Sequence, residues 1–393
     1  MASNITAPFD LPLILDGATG TALLKRGMQT GECTEKFILE NPHILTGLQA
    51  EYIAAGSQAV LAPTFGANIP TLLRHGFSKE EADQVCRALC GISKQNAGKV
   101  KVGGDISPTG LLMKPYGNTE PQEIYDIYHA QAATLIDCNV DFIFIETMLS
   151  AAEAKMAVRA VRDISADIPV FVSLTVGENG RTMNGDMLGA ALLTLVQYNI
   201  QGFGCNCSIG PAVVANALAT AAPIAKLYNI PLIAKPNAGM PVTTESGAVF
   251  PLTPADMAAA TDRFTGLGVG IFGGCCGTTP EHIRAIATAA KNTSKKLFED
   301  VKEPETGVYV STARAYALVD ENAEYLPIDD SSEDCIYELM DACEPDDVLY
   351  FELREGGAET VIQMDAFIPN PIALRGLEKE ISKAEAVLCR KFR

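Results

Sequence analysis

The sequence predicts a (β/α)8 TIM barrel followed by a small acidic α/β appendage, and three observations predict it. Eight short apolar, β-branched runs recur at intervals of roughly 30 to 45 residues. Helix-period segments lie between most of them, the alternation that builds a parallel sheet. After Lys296 both pattern and charge change: residues 297–393 hold 23 acidic and 9 basic side chains, net −14, against 25 and 21, net −4, for residues 1–296. The expected division is therefore a barrel over 1–296 and an appendage over 297–393.

The eight runs are LPLILD (11–16), QAVLAPT (58–64), KVKVGGD (99–105), DFIFIE (141–146), IPVFVSLTV (168–176), GFGCNC (202–207), IPLIAKPN (230–237) and GVGIFGGCC (268–276). PQEIYDIYHAQAATLIDC (121–138) and SAAEAKMAVRAVRDIS (150–165) carry apolar residues at three and four spacing, so they read as crossover helices. A doubly wound open sheet would need a glycine-rich phosphate turn after an early strand, and DGATGT is a poor match to that pattern. In the appendage, GVYVSTARAYALV, DVLYFELREGG and ETVIQMDAF precede the helical LRGLEKEISKAEAVLCRKF. The acidic DDSSEDCIYELMDACEPDD between them reads as a solvated helix face with loops.

Composition narrows the function. A hydrophobic fraction of 48%, a charged fraction of 20% and a mean hydropathy of +0.14 are globular values that exclude wholesale disorder and fibrous repeats. The net charge of −18 repels phosphate backbones and anionic lipid, so nucleic acid and membrane surfaces are not expected partners. MASNITAPFDLPLILDGATGT has no basic, apolar leader pattern, and no apolar run approaches a membrane span, so the expected location is cytoplasmic. Eleven cysteines in such a chain point to reduced thiols or metal ligands, not to a disulfide framework.

In a TIM barrel the chemistry sits where the strands end. Here those positions carry Asp16, Glu146, Cys207, Asn237, Cys275 and Cys276. Cys207, Cys275 and Cys276 converge on one mouth, and Gly273, Gly274 and Gly277 permit the sharp turn that two adjacent cysteines need to face one ion. Three sulfurs would leave a fourth tetrahedral position open, as in a catalytic zinc site. Their spacing matches no zinc finger, so metal ligation and ordinary buried thiols both remain open on the residues alone. Cys33, Cys86, Cys90, Cys138, Cys335, Cys343 and Cys389 read as small hydrophobes, and Cys205 as barrel filling one layer below Cys207. His43, His75, His129 and His282 fall in expected helices or their caps, which leaves no Ser-His-Asp assembly.

The ordered blocks LDGATGT, PTFGAN, SPTG, FIETM, LTVGENGRTMNG, CNCSIGP, KPNAGMP and GGCCGTTPEHI span roughly residues 10–290. On these blocks the chain resembles the homocysteine S-methyltransferase family and, within it, the homocysteine-binding barrels of the cobalamin-dependent methionine synthases. The resemblance implies a zinc-dependent methyltransferase with Cys207, Cys275 and Cys276 as zinc ligands and Asn237 in the fourth position when substrate is absent. It implies further that Asp16 and Glu146 hold the amino group of homocysteine, with backbone amides around Gly17 and Ala18 taking its carboxylate. Amides that open a helix after a strand suit a carboxylate. Two departures touch the donor side of the mouth: Ala62 and Pro63 replace a usual polar pair, and GDISPTG, with Asp105 and Ser107, replaces a more usual GSIGPTG.

The expected reaction is methylation of homocysteine to methionine. The chain is too short to add the folate and cobalamin modules of the long methionine synthases, so the favoured donor is methylcobalamin on a separate corrinoid protein acting in trans. A small sulfonium such as S-methylmethionine, another thiol acceptor, and a non-catalytic zinc scaffold are the alternatives.

Overall fold

The computed structural model describes residues 8–390 apart from 115, 245–246, 313, 320–325, 329–332, 344–346, 366–367, 369 and 389. The barrel strands are β1 (Leu13–Ile14), β2 (Ala59–Leu61), β3 (Lys101–Ile106), β4 (Phe142–Met148), β5 (Val170–Leu174), β6 (Gly202–Cys207), β7 (Leu232–Pro236) and β8 (Val269–Phe272). They form one parallel sheet in the order β1-β8-β7-β6-β5-β4-β3-β2, each overlapping one of the eight runs, with β3 and β4 extending one and two residues past theirs. The remaining seam, between β1 and β2, is closed without a regular ladder. Gln58 N–H donates to the Ile14 carbonyl at 2.7 Å and its Oε1 accepts from Ile14 N–H at 2.9 Å. Leu61 N–H donates to Asp16 Oδ2 at 2.9 Å.

Both faces of these strands are buried, which is why they read as nearly continuous apolar runs and not as alternating ones. Val60, Val102, Ile143, Ile145 and Val172 pack outward against the helices. Leu13, Leu61, Phe142, Phe144, Phe171 and Ile233 point into the barrel. Phe9 stacks edge-on against Phe142 and Phe171 at 5.8 and 6.1 Å, filling the barrel with rings and leaving the polar residues to the mouth. Pro121–Asp137 and Ala151–Ile164 are helices as expected, the second capped by Ser150 Oγ, which accepts from Glu153 N–H at 3.1 Å. His43, His75, His129 and His282 lie in helices or at their ends. His282 completes a capping box with Thr279. Among the described residues, no helix is long and apolar enough to cross a membrane.

Beyond residue 296 the hairpin β9 (Val308–Ser311) and β10 (Tyr316–Val319) packs on the barrel, although composition assigns it to the appendage. Tyr309 joins the barrel core, Thr194 and Ser311 pair hydroxyls at 3.2 Å, and Tyr316 Oη donates to the Thr220 carbonyl. A second core, including Ile336, Phe351, Val361 and Ile372, surrounds the parallel sheet of β11 (Leu326–Ile328), β12 (Leu349–Leu353) and β13 (Ile372–Gly376). The acidic stretch lies partly on helix Glu333–Ala342, where Asp334 and Glu338 are exposed. The side chain of Cys335, and Cys389 altogether, lie outside the described residues.

One buried cation fastens this second unit to the barrel. Lys155, fully buried in helix Ala151–Ile164, donates to the Glu385 carbonyl at 2.6 Å and to the Leu388 carbonyl, at the C-terminal end of helix Glu378–Val387. A cation there satisfies terminal carbonyls and complements the helix dipole. Lys155→Met is expected to loosen the attachment by about 2 kcal/mol, the scale of a charged hydrogen bond, and to raise hydrogen exchange in residues 349–388 before the barrel responds.

Candidate active site at the barrel mouth

A cavity of about 310 Å³ opens at the C-terminal ends of the strands, lined by the thiols of Cys207, Cys275 and Cys276 and by an acidic wall of Asp16, Asp105 and Glu146. Among the described residues, the three cysteines are the only group of three or more His, Cys, Asp or Glu residues whose donor atoms all lie within 4.8 Å of one another.

Local backbone conformation brings the sulfurs together. Cys207 and Ser208 are both left-handed, φ +58° and +59°, so the strand alternation breaks at Cys207. Asn206, between the cysteines of CNC, makes its contacts with Ser173, Thr147 and Glu146 towards the mouth, whereas Cys205 packs with the helix-facing core. The expectation that Cys205 fills the barrel interior is therefore corrected. Cys275 and Cys276 lie in the loop beyond β8, not on the strand. Thr278 N–H donates to the Cys275 carbonyl at 3.1 Å, closing a turn whose third residue, Gly277, has φ +81°. That conformation favours glycine and lets the two adjacent cysteines share a direction. The mutual closeness of the three thiols lowers the pKa of Cys207 and raises those of Cys275 and Cys276.

Asn237 follows β7 beside this cluster. Its N–H donates to the Cys207 carbonyl at 3.1 Å and its Nδ2 to the Ser208 carbonyl at 2.6 Å. Its Oδ1 is buried without a hydrogen-bond partner. Three thiols beside an orphaned amide oxygen are a donor set that fits tetrahedral zinc.

The acidic wall draws on β1, β3 and β4. Asp16 is pushed up to about 6 by burial, against the pull of Lys235 and the Leu61 N–H. Glu146 sits at a bulge in β4, where pairing with β5 shifts between Ile145 and Met148. The next residue, Thr147, has φ +62°, unusual for a β-branched side chain. Asn206 holds it there: Oδ1 accepts from Thr147 N–H at 2.8 Å and Nδ2 donates to Thr147 Oγ1 at 2.7 Å. The bulge re-aims Glu146 into the mouth. Burial raises the carboxyl pKa of Glu146, and Lys235 opposes that rise.

Lys235 reaches across from β7 and donates to Glu146 Oε2 at 2.6 Å, with its ammonium 4.7 Å from the Phe144 ring centre. Sequence reasoning missed both Lys235 and Asn206. A lysine between Ala234 and Pro236 in an otherwise buried run was the available signal, since a charge there requires a partner.

Gly17 and Ala18 line the same cavity. A Cβ at Gly17 would stand 2.7 Å from Tyr52 Cε1 and 2.9 Å from Thr278 Oγ1. The Ala18 amide is already donated to Thr278 Oγ1 at 3.1 Å, and Tyr52 Oη donates to the Ala18 carbonyl. A carboxylate seated at the Ala18 amide would therefore share or displace Thr278.

Residues 13–290 match the family model described as homocysteine S-methyltransferase. The chain belongs to the homocysteine S-methyltransferase family. Its likeness within that family extends to the methionine synthase of Mycobacterium tuberculosis, 31% identical over 309 residues, and to that of Mycobacterium leprae, 32% identical over 297. These matches cover 74% and 70% of this chain but 26% and 24% of the relatives, so the chain spans about a quarter of their length. In fold, this family member is similar to the homocysteine methyltransferase MmuM from Escherichia coli. The metallated form aligns with a TM-score of 0.60 at 20% identity, over 70% of this chain and 96% of that one, and the apo form with 0.57.

Proposed function

We propose that this methyltransferase methylates homocysteine to methionine, with zinc held by Cys207, Cys275 and Cys276, with Asn237 as the fourth ligand in the absence of substrate, and with the methyl group delivered by a methylcobalamin-bearing corrinoid protein in trans. The observation that carries the reading is a thiol cluster and an acidic wall lining one small cavity. That combination suits a short amino acid bearing both a thiol and an ammonium. When bound, zinc acts as a Lewis acid that keeps a thiol of ordinary pKa about 8.5 deprotonated near neutral pH.

The chain's own residues do the rest. Asp16 and Glu146 supply negative charge for the amino group, and the segment around Gly17 and Ala18 faces the carboxylate. Asn206 fixes Thr147 and with it the direction of Glu146. The acceptor sulfur gives up its proton and gains the methyl group, while the donor keeps the electrons of the broken bond.

Because Asp16 holds an ammonium only when ionised, and its pKa is pushed up to about 6, the KM for homocysteine is expected to climb as pH falls below 6. The slope should approach about tenfold per pH unit and level off above that range. Steady-state kinetics across pH 5–8 checks this, and Asp16→Asn should raise KM and flatten the profile.

The donor is tested by incubating zinc-loaded protein and homocysteine separately with methylcobalamin, a methylated corrinoid protein and S-methylmethionine, then measuring methionine. Turnover confined to the corrinoid donors supports delivery in trans. Turnover with S-methylmethionine alone replaces that donor while leaving the acceptor chemistry intact.

A further inference from the structure

A second cavity, of about 680 Å³, lies on the same rim of the barrel as the mouth. The two adjoin along β4: Thr147 lines the mouth, and Leu149, just beyond it in the chain, lines the second cavity. Segments following β3, β4 and β5 supply part of its wall, and the second unit supplies the rest through Ile362, Gln363, Asp365 and Leu388. The bond from Lys155 to the Leu388 carbonyl therefore anchors one wall of this cavity as well as joining the two units.

Two features of the lining say what fits it. Leu112, Tyr116 and Met183 are 53%, 61% and 71% exposed, and large apolar side chains gathered at one cavity mark an interaction site. The lining also holds two buried carboxylates, each with one oxygen to spare. Glu153 Oε1 accepts from Thr109 N–H, Thr109 Oγ1 and Tyr128 Oη, each at 2.8 Å, while its Oε2 accepts from no described residue. Asp186 Oδ2 accepts from Ala151 N–H at 2.8 Å and Thr182 Oγ1 at 2.7 Å, while its Oδ1 accepts from none. Neither carboxylate forms an ion pair among the described residues, whereas Lys114 and Asp365 in the same lining are already paired with Glu120 and Arg390. Arg181, whose charge acts on Asp186 more weakly than burial does, directs Nη1 to the carbonyls of Gly185 and Arg314. Such a lining suits a cation brought in beside an apolar group.

We propose that this cavity docks the methyl-donor protein through a segment that carries Lys or Arg next to an apolar side chain. The cation pairs with Glu153 and Asp186, and the apolar side chain packs among Leu112, Tyr116 and Met183. A second copy of this chain is a poor occupant, because each copy carries a net charge of −18. The inference rests on delivery by a corrinoid protein in trans. It gives the second unit a task, since the docking site is complete only where Ile362, Gln363 and Leu388 meet the barrel.

The test measures methionine formed by the zinc-loaded full chain from homocysteine, with either a methylated corrinoid protein or free methylcobalamin as donor. Gln363 is exposed on the second unit's wall, so its charge can be changed in both directions. At low salt Gln363→Lys should raise the KM for the corrinoid protein about tenfold, and Gln363→Glu should lower it about threefold. Met183→Lys should repeat the rise from the barrel side, and high salt should shrink all three differences. None of the variants should change the KM for homocysteine or the rate with free methylcobalamin. A response of the same sign in both Gln363 variants, no response in either, or a parallel loss with free methylcobalamin overturns the inference. A wild-type dimer that Gln363→Lys dissociates overturns it in favour of a second copy as the occupant. Turnover with no corrinoid protein overturns the donor reading and the inference with it.

Discussion

Cys207→Ala is expected to abolish stoichiometric zinc binding and to lower homocysteine methylation by about a thousandfold, the rate equivalent of several kcal/mol of lost electrostatic stabilisation. The effect follows from position: Cys207 is the β6 sulfur of the cluster, within 4.8 Å of those of Cys275 and Cys276. Cys205→Ala is the internal control. Its sulfur lies two residues away but faces the helix layer, so zinc content should stay at one per chain while stability falls modestly through lost packing. Metal analysis of the two purified proteins checks the pair. Full zinc occupancy and activity in Cys207→Ala would remove the basis of the proposed mechanism.

The second large effect concerns stability. Lys235→Met is expected to destabilise the fold by about 3–5 kcal/mol at neutral pH, because it leaves Glu146 as a buried charge without its ion-pair partner. The sign with pH is fixed by the carboxyl. Its folded pKa is raised above 4.5, so in the variant its ionisation opposes folding. The penalty is absent well below pH 4.5, grows as pH rises from there towards the raised folded value, and levels off above it. Adding Glu146→Gln to Lys235→Met should recover much of the loss. Denaturant midpoints at two pH values measure both effects, and strictly additive penalties would show that the two side chains do not act as a pair.

The barrel was legible in the sequence because a parallel strand buried on both faces leaves a short uninterrupted apolar run, and all eight runs became strands. The ends were less legible. LPLILD contributes only Leu13–Ile14 to the sheet, since beyond that point Asp16 pairs with Leu61 through its side chain. The clustered cysteines and the acids stood out because reactive types at strand ends are uncommon. The role of Asn206 and the outward turn of Cys205 were hidden because one left-handed residue at Cys207 defeats the alternation from which side-chain direction is read. The role of Lys235 was hidden because its partner Glu146 lies 89 residues away on another strand, a pairing that sequence pattern does not reveal. The packing of Val308–Ser311 and Tyr316–Val319 on the barrel was obscured for a different reason: the charge balance shifts at about residue 297, ahead of where the second core begins.

The most direct test of the central claim is X-ray absorption at the zinc edge of the loaded protein, with and without homocysteine. The account predicts three sulfurs and one lighter atom in the first shell of the free protein, and four sulfurs once homocysteine is added. A shell with fewer than three sulfurs, or one that homocysteine leaves unchanged, would contradict it.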